Sequence, residues 1–428
     1  MKKIGVGLLG LGTVGGGTYK IISRNGKKIR DAYGVDINVV GVLEKNTEAL
    51  DKLKVPENLR AKDIMEIVAN PEVDVVVELI GGTGVAKTFI ETALSGGKTV
   101  VTANKELLAK HFVELNELAC KNGAGLYYEA SCVGGTPVIR TITDSMQANN
   151  ITRIRGIVNG TTNFILSKMS DKGVSYSAAL KEAQSLGYAE ADPTSDVEGF
   201  DATYKLAILE TLAFREKIDY KKVLREGISQ IKAEDIEYGK GFGLTLKLLA
   251  IGKCDGKTIE ARVHPTFIKN SDPLASIDGA FNALEIVGDN VGEIMIRGKG
   301  AGSLPTGSAV VSDIVFASRF IGENEHYYPV ESVAFRSNDL PIANDFETKY
   351  YIRLKVEDKA GVLSKVGAIF SDNEISLSDV LQKGAGKDNS ATLIIITHKT
   401  KESLVRTALT KIAECGSVKS IEAAIRIE

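Results

Sequence analysis

Short runs of β-branched residues alternate with amphipathic stretches through the first 135 residues. Residues 4–9, 37–43, 73–80, 99–102 and 126–129 read as buried strands, rich in Val and Ile and bounded by Gly or Asn. Residues 85–95 and 105–121 carry helical spacing between them. Alternation of this kind predicts an α/β fold with a doubly wound parallel sheet over 1–135. From 136 to 330 the pattern shifts to longer helices (176–187, 200–214) and amphipathic strands (151–158, 259–265, 293–297). That predicts an α+β domain over 136–330, with 300–330 returning to complete the first domain. Residues 331–349, polar and proline-interrupted, read as a linker. The tail, 350–428, is predicted to be a compact unit of its own: strand 350–357, helix 361–372, strands 375–382 and 391–397, helix 401–415, strand 418–426. The order βαββαβ is ferredoxin-like.

The chain's 428 residues exceed one ordinary core, consistent with two or three such units. Its 53 basic and 55 acidic residues leave a net charge of −2, which argues against a nucleic-acid partner. The absence of Trp and 6% aromatic content argue against stacking on bases. No apolar run reaches the roughly 20 residues of a membrane helix. Met1-Lys2-Lys3 and the apolar stretch after it imitate a signal peptide, but four glycines interrupt them and no cleavage pattern follows. Four cysteines (120, 132, 254, 415) and four histidines (111, 264, 326, 398) lie far apart, predicting a cytoplasmic protein without disulfides or a transition metal. The excess is in glycine, with 43 residues and no period, so glycines should mark turns and close approaches of the backbone.

Two segments carry candidate chemistry. Gly10-Leu11-Gly12-Thr13-Val14-Gly15 follows the first strand and opens a helix, the context in which GxGxxG holds a dinucleotide's pyrophosphate. At the end of the second strand, Glu44 suits the ribose hydroxyls of NAD and Lys45 the 2′-phosphate of NADP, and the choice stays open. The second segment crowds Glu190, Asp192, Asp196, Glu198 and Asp201 around Pro193, ahead of a helix that is apolar almost all round. Asp201 and Lys205 share one face of that helix, so the pair is expected to line a cleft. A Lys beside a carboxylate in a partly dry cleft can exchange a proton with an alcohol or carbonyl.

Ala183, Gly187-Tyr188-Ala189, Asp192-Pro193, Asp196, Gly199, Asp201 and Lys205 resemble the signature of the homoserine dehydrogenase family. The resemblance extends through Gly81-Gly82-Thr83, Thr102-Ala103-Asn104-Lys105, Asn159-Gly160-Thr161-Thr162-Asn163 and Gly300-Ala301-Gly302. It implies interconversion of L-aspartate 4-semialdehyde and L-homoserine with NAD or NADP, in threonine, methionine and isoleucine biosynthesis. It further implies Lys205 as proton donor, Asp201 orienting it or the substrate, and Lys105 as a second candidate for proton transfer. Glu190 would bind the substrate ammonium, with Asp196 beside it. Thr13, Val14, Thr83, Lys105, Gly187 and Gly302 would join Gly10, Gly12 and Gly15 around the cofactor. A structural sodium ion would sit on Glu129, Cys132, Gly134 and Thr136.

The tail resembles an ACT domain, with Asp358-Lys359-Ala360-Gly361-Val362-Leu363 at its first strand–helix turn. Such domains pair and bind amino acids, which implies a homodimer or homotetramer and feedback by threonine. Two other readings compete. Cys132 could serve as the nucleophile of a thiol-dependent semialdehyde dehydrogenase, or the chain could be a non-catalytic sensor of NADP(H) and amino acids.

Overall fold

The computed structural model describes residues 1–322, 340–384 and 389–428. The linker expected at 331–349 therefore lies outside the described residues for 331–339. So do His326 and residues 323–330 of the segment expected to return to the first domain.

The first 130 residues build a parallel sheet. Its elements run β1 (Lys2–Leu9), α1 (Thr13–Tyr33), β2 (Val35–Leu43), α2 (Thr47–Lys52), β3 (Arg60–Ala61), α3 (Ile64–Val68), β4 (Val75–Glu78), α4 (Val85–Ser95), β5 (Thr99–Thr102), α5 (Lys105–Lys121) and β6 (Leu126–Tyr127). The strand order is β3-β2-β1-β4-β5-β6, so the winding reverses between β1 and β4 and opens a crevice at their carboxyl ends. Alternate residues serve opposite layers. Val75 and Val77 pack with Ile21 and Ile22 of α1, while Val76 packs with Ile90 of α4 and Leu108 of α5. The expected strand 73–80 is shorter at its end because the buried Glu78 carboxylate folds back to accept the Ile80 and Gly81 N–H groups. Likewise the chain leaves the sheet after Tyr127, and Glu129 stands in a 3₁₀ turn.

A second, mixed sheet follows. Its elements are β7 (Ile151–Ile157), α6 (Gly160–Lys172), α7 (Tyr176–Ser185), α8 (Thr194–Val197), α9 (Phe200–Phe214), β8 (Leu224–Arg225), α10 (Ala233–Gly241), β9 (Leu244–Cys254), β10 (Ile259–Lys269), β11 (Phe281–Gly288) and β12 (Gly292–Lys299). β9 and β11, absent from the sequence reading, are buried at nearly every position, with Lys247, Asn282 and Glu285 enclosed among their apolar residues. Central strands covered on both faces lose the period-2 signal that identifies a strand. Next, α11 (Ser303–Ala317) returns to the first sheet, where Val310 and Ile314 join the core of β1 and α1. The two helices touch at glycines: a Cβ on Gly17 would lie 2.0 Å from the Ser303 carbonyl oxygen, and one on Gly307 would lie 2.8 Å from the Thr18 nitrogen.

The tail contributes β13 (Glu347–Glu357), α12 (Val362–Asp372), β14 (Leu377–Lys383), β15 (Ser390–Thr397), β16 (Thr400–Lys401), α13 (Glu402–Glu414) and β17 (Val418–Ile427). Ile352, Leu354, Phe370, Leu393 and Ile412 form a core of its own. Its sheet, however, continues the second one. β17 pairs in parallel with β10 (Thr266↔Arg426, Phe267↔Ile427), giving eleven strands on the path β12-β11-β7-β9-β10-β17-β13-β15-β14 with β8 and β16 attached. Two buried arginines of the tail secure the seam. Arg353 donates across it to buried Asp235 at 2.6 and 3.0 Å, and Arg426 donates across it to the partly exposed Glu226 and, within the tail, to buried Glu402. Among the described residues no helix is long and apolar enough to cross a membrane.

Candidate active site

Local structure assembles the site from helix ends and one buried helix. Asn104 caps α5 by accepting the Leu107 N–H, and its amide donates to the Gly82 carbonyl at 2.7 Å. Thr102 donates to Glu78 at 2.7 Å. This bracket sets Lys105 in the first turn of α5, at the carboxyl end of β5, with half-buried Thr83 alongside. Across the crevice, Asn159 caps α6 by accepting the Thr162 N–H, and its amide donates to Asp196 at 2.7 Å and Asp201 at 2.8 Å. Nearly every side chain of α9 is buried, as its all-round apolar sequence predicts.

Asp201 is the centre of the cluster. One carboxylate oxygen accepts Lys205 Nζ at 2.7 Å and the Asn159 amide, while the other faces Lys105 Nζ at 3.2 Å. Lys205 also donates to the Val158 carbonyl at 2.8 Å, leaving one ammonium proton for another acceptor. Burial pushes the Asp201 carboxyl up, but the Lys205 and Lys105 ammonium groups outweigh it and hold the carboxyl well below the usual range. Asp201 in turn raises Lys105 above the ordinary lysine value against desolvation. Burial and the Asp201 charge raise Asp196. The arrangement is a fixed anion between two cations, one carried by each half of the crevice.

Other expected residues meet different surroundings. Glu190 is exposed and forms no ion pair among the described residues; the Gln184 amide donates to its main-chain carbonyl. Gly187, at φ 75°, closes the turn after α7. Gly10 adopts φ 91°, and a Cβ on Gly15 would lie 2.0 Å from the Gly10 carbonyl oxygen. A Cβ on Gly12 would meet nothing within 4 Å. Two glycines therefore shape the loop, and the third leaves open space at the start of α1, which has no side-chain cap. Thr13 is exposed and Val14 half-buried in the first turn of α1. Gly302, at φ 124°, precedes Ser303, whose carbonyl abuts Gly17 of α1.

At the 129–136 turn the expected sodium ligands fit only in part. Both Glu129 carboxylate oxygens accept backbone N–H groups, of Ile139 at 3.0 Å and Arg140 at 2.9 Å, and the Arg140 guanidinium lies 3.4 Å away. The Thr136 carbonyl accepts the Val138 N–H at 2.8 Å. The Glu129 carboxylate thus already serves donors within the protein, and a cation would share its remaining lone pairs with them. Cys132 is fully buried, and desolvation pushes its thiol up to about 12. A thiol so held stays protonated at neutral pH, which removes the basis of the thiol-nucleophile reading.

Asn159 was quoted in the sequence motif without a role, although it holds both Asp196 and Asp201. An Asn immediately before a helical run is the N-cap signal that could have singled it out.

Family models match residues 10–129 (homoserine dehydrogenase, NAD binding domain), 137–315 (homoserine dehydrogenase) and 350–416 (ACT domain). The homoserine dehydrogenase of Neisseria gonorrhoeae is 40% identical over 100% of this chain and 99% of its own. The crystal structure of a homoserine dehydrogenase from Thiobacillus denitrificans superposes with a TM-score of 0.94 at 40% identity, covering 100% of this chain and 99% of that one. A hyperthermophilic archaeal homoserine dehydrogenase solved with NADPH matches at 29% identity and a TM-score of 0.63, covering 74% of this chain and 98% of its own. With a dinucleotide loop, a Lys–Asp–Lys cluster across the crevice and relatives along its full length, the chain belongs to the homoserine dehydrogenase family of NAD(P)-dependent oxidoreductases.

Proposed function

We propose that the chain interconverts L-homoserine and L-aspartate 4-semialdehyde in the cluster around Asp201, serving threonine, methionine and isoleucine biosynthesis. The observation that carries the assignment of roles is the Asp201 carboxylate held between Lys205 and Lys105 at 2.7 and 3.2 Å. A nicotinamide dinucleotide, when bound, supplies hydride transfer to or from the reacting carbon. Gly10, Gly12, Gly15, Thr13 and Val14 would hold its pyrophosphate, with Thr83, Lys105, Gly187 and Gly302 nearer the reacting end. During reduction, Lys205 donates its free ammonium proton to the carbonyl oxygen as the alkoxide forms. Asp201 fixes Lys205 in that orientation, and Lys105 holds positive charge beside the oxygen. Asp196 and Glu190 take the amino acid's ammonium group. Glu190 is exposed and has no ion pair among the described residues, so its carboxylate is available to that group.

The test is homoserine oxidation with NAD and NADP. Lys205→Ala should lower kcat by about 10²–10⁴ while binding the cofactor as the parent does. Turnover at the parent rate would remove Lys205 from the mechanism.

The same reading takes 350–428 as a regulatory domain for threonine. The open approach at Gly361, which caps α12 at φ 87° with nothing within 4 Å of a Cβ, supports it. No inhibition at millimolar threonine would refute it. A homodimer or homotetramer is supported by the two sheet edges that no described strand covers, β12 with exposed Met295 and β14 with exposed Val380. A sodium ion at 129–136 would be held by Glu129 and the main-chain carbonyls of Cys132, Gly134 and Thr136, and equal activity in sodium-free buffer would dismiss it. The free state of all four cysteines supports a reducing, cytoplasmic setting.

A further inference from the structure

We propose that Glu44 makes the enzyme prefer NAD(H) over NADP(H), a specificity that rests on the Gly10–Gly15 loop binding the dinucleotide. β2 ends at Leu43, whose carbonyl accepts the Gly10 N–H at 2.9 Å, so the next residue stands beside the glycine loop. Glu44 is fixed there by both oxygens. Oε2 accepts the N–H of Leu11, between the first two glycines, at 2.6 Å, and Oε1 accepts the N–H of Asn46 at 2.8 Å. Swinging the carboxylate away would forfeit two charge-assisted hydrogen bonds.

In a doubly wound sheet the adenosine ribose lies at this strand end, beyond the pyrophosphate. A carboxylate is an acceptor only, and its remaining lone pairs suit the two O–H donors of a ribose diol. A 2′-phosphate offers acceptors alone and carries negative charge, so it would meet a fixed like charge and return no donor.

The groups that could compensate are committed elsewhere. Arg60 on β3, beside β2, gives its guanidinium to the Val55 carbonyl and to Asp51 at 2.8 Å. The first free N–H groups of α2, at Glu48 and Ala49, are taken by the Asn46 side chain. That leaves Lys45, an exposed single cation without the planar fork that grips phosphate. A surface charge of this kind attracts only weakly in water.

Calorimetric titration of the full chain with NAD⁺ and with NADP⁺, alongside kcat/KM for each, tests the proposal. NAD⁺ should bind about tenfold tighter or more, as expected of a like-charge penalty against the phosphate. Glu44→Gln should weaken NAD⁺ and strengthen NADP⁺, bringing the two within about threefold. Lys45→Ala should change neither affinity by more than about threefold, and it keeps the test decisive should the Gln variant fold poorly. Tighter NADP⁺ binding by the parent enzyme, an unchanged ratio in Glu44→Gln, or loss of NADP⁺ binding in Lys45→Ala would each overturn the proposal alone. Binding of neither dinucleotide would overturn the loop reading and the proposal together.

Discussion

Replacing Asp201 with Asn removes one charge while keeping the shape of the side chain and an acceptor oxygen. Two ammonium groups then face each other across a site in which Asp201 and Lys205 are 5% and 10% exposed. Breaking one side of a buried pair costs about 3–5 kcal/mol, because the remaining charge stays buried without compensation. The loss should be full at neutral pH. The Asp201 carboxyl titrates below its unfolded value near 3.9, so its stabilisation is present above that pH and fades only as acid approaches the folded value. Catalysis should fall further than substrate binding, by about 10²–10⁴ in kcat, since Lys205 loses the partner that aims its proton. Lys105 is raised first by Asp201. In the variant it should lose its proton at lower pH, and the alkaline limb of the rate profile should shift to the acid side. The assay is homoserine oxidation across pH 6–10, with denaturant unfolding of the same samples. A kcat within about threefold of the parent and an unmoved alkaline limb would refute the role given to Asp201.

Other perturbations separate packing from chemistry. Cys132→Ser should keep kcat within about threefold, because a fully buried thiol held near 12 takes no part in the reaction; loss of activity together with phosphate dependence would reinstate a thioester route. Glu210 is buried in α9 with neither carboxylate oxygen partnered among the described residues, and desolvation raises its pKa well above the usual value. Such a group is protonated in the fold, so stability should decline as pH rises above the unfolded carboxylate value. Glu210→Met should therefore raise the melting temperature more at pH 8 than at pH 5, by about 1–3 kcal/mol equivalent; equal effects at both pH values would contradict this. Arg426→Ala strands the buried Glu402 carboxylate, which Arg426 helps hold at about 2 against desolvation. It should cost about 3–5 kcal/mol, seen as faster amide exchange along β17, whereas Glu226→Gln should cost less because Glu226 is 43% exposed. The reverse ranking would show that the seam depends on Glu226 instead.

Much of the fold was legible because period and punctuation agreed. Helices 85–95, 105–121 and 200–214 begin and end where the sequence placed them, with Asn104 and the glycines Gly84 and Gly199 at their starts. The reading failed where one period could not decide. β9 and β11 are apolar on consecutive positions because layers cover both faces, and such runs look the same as buried helix. Within the site, the i,i+4 spacing of Asp201 and Lys205 was visible locally. Their partners Lys105 and Asn159 were not, since those contacts span most of a domain and arise only when two helix N-termini converge.

The tail shows a deeper reason for partial legibility. Its alternating strands specified a ferredoxin-like unit because each has one face on a private core. Nothing in the strand pattern shows that β17 also adds to β10, because strand pairing uses backbone groups that every residue carries. What marks the pairing is charge. Arg353 and Arg426 lie at buried positions of strands, where an unpaired guanidinium would be prohibitive; Glu402 of the tail serves part of Arg426, and each arginine also takes an acid from the preceding domain. Those acids are Asp235 and Glu226. Glu226 lies two residues before Ile228, whose N–H donates to the Val197 carbonyl at 2.8 Å, one residue from Asp196. A buried arginine in a strand, with too few acids in its own unit to pair it, is thus the mark that this unit docks on another.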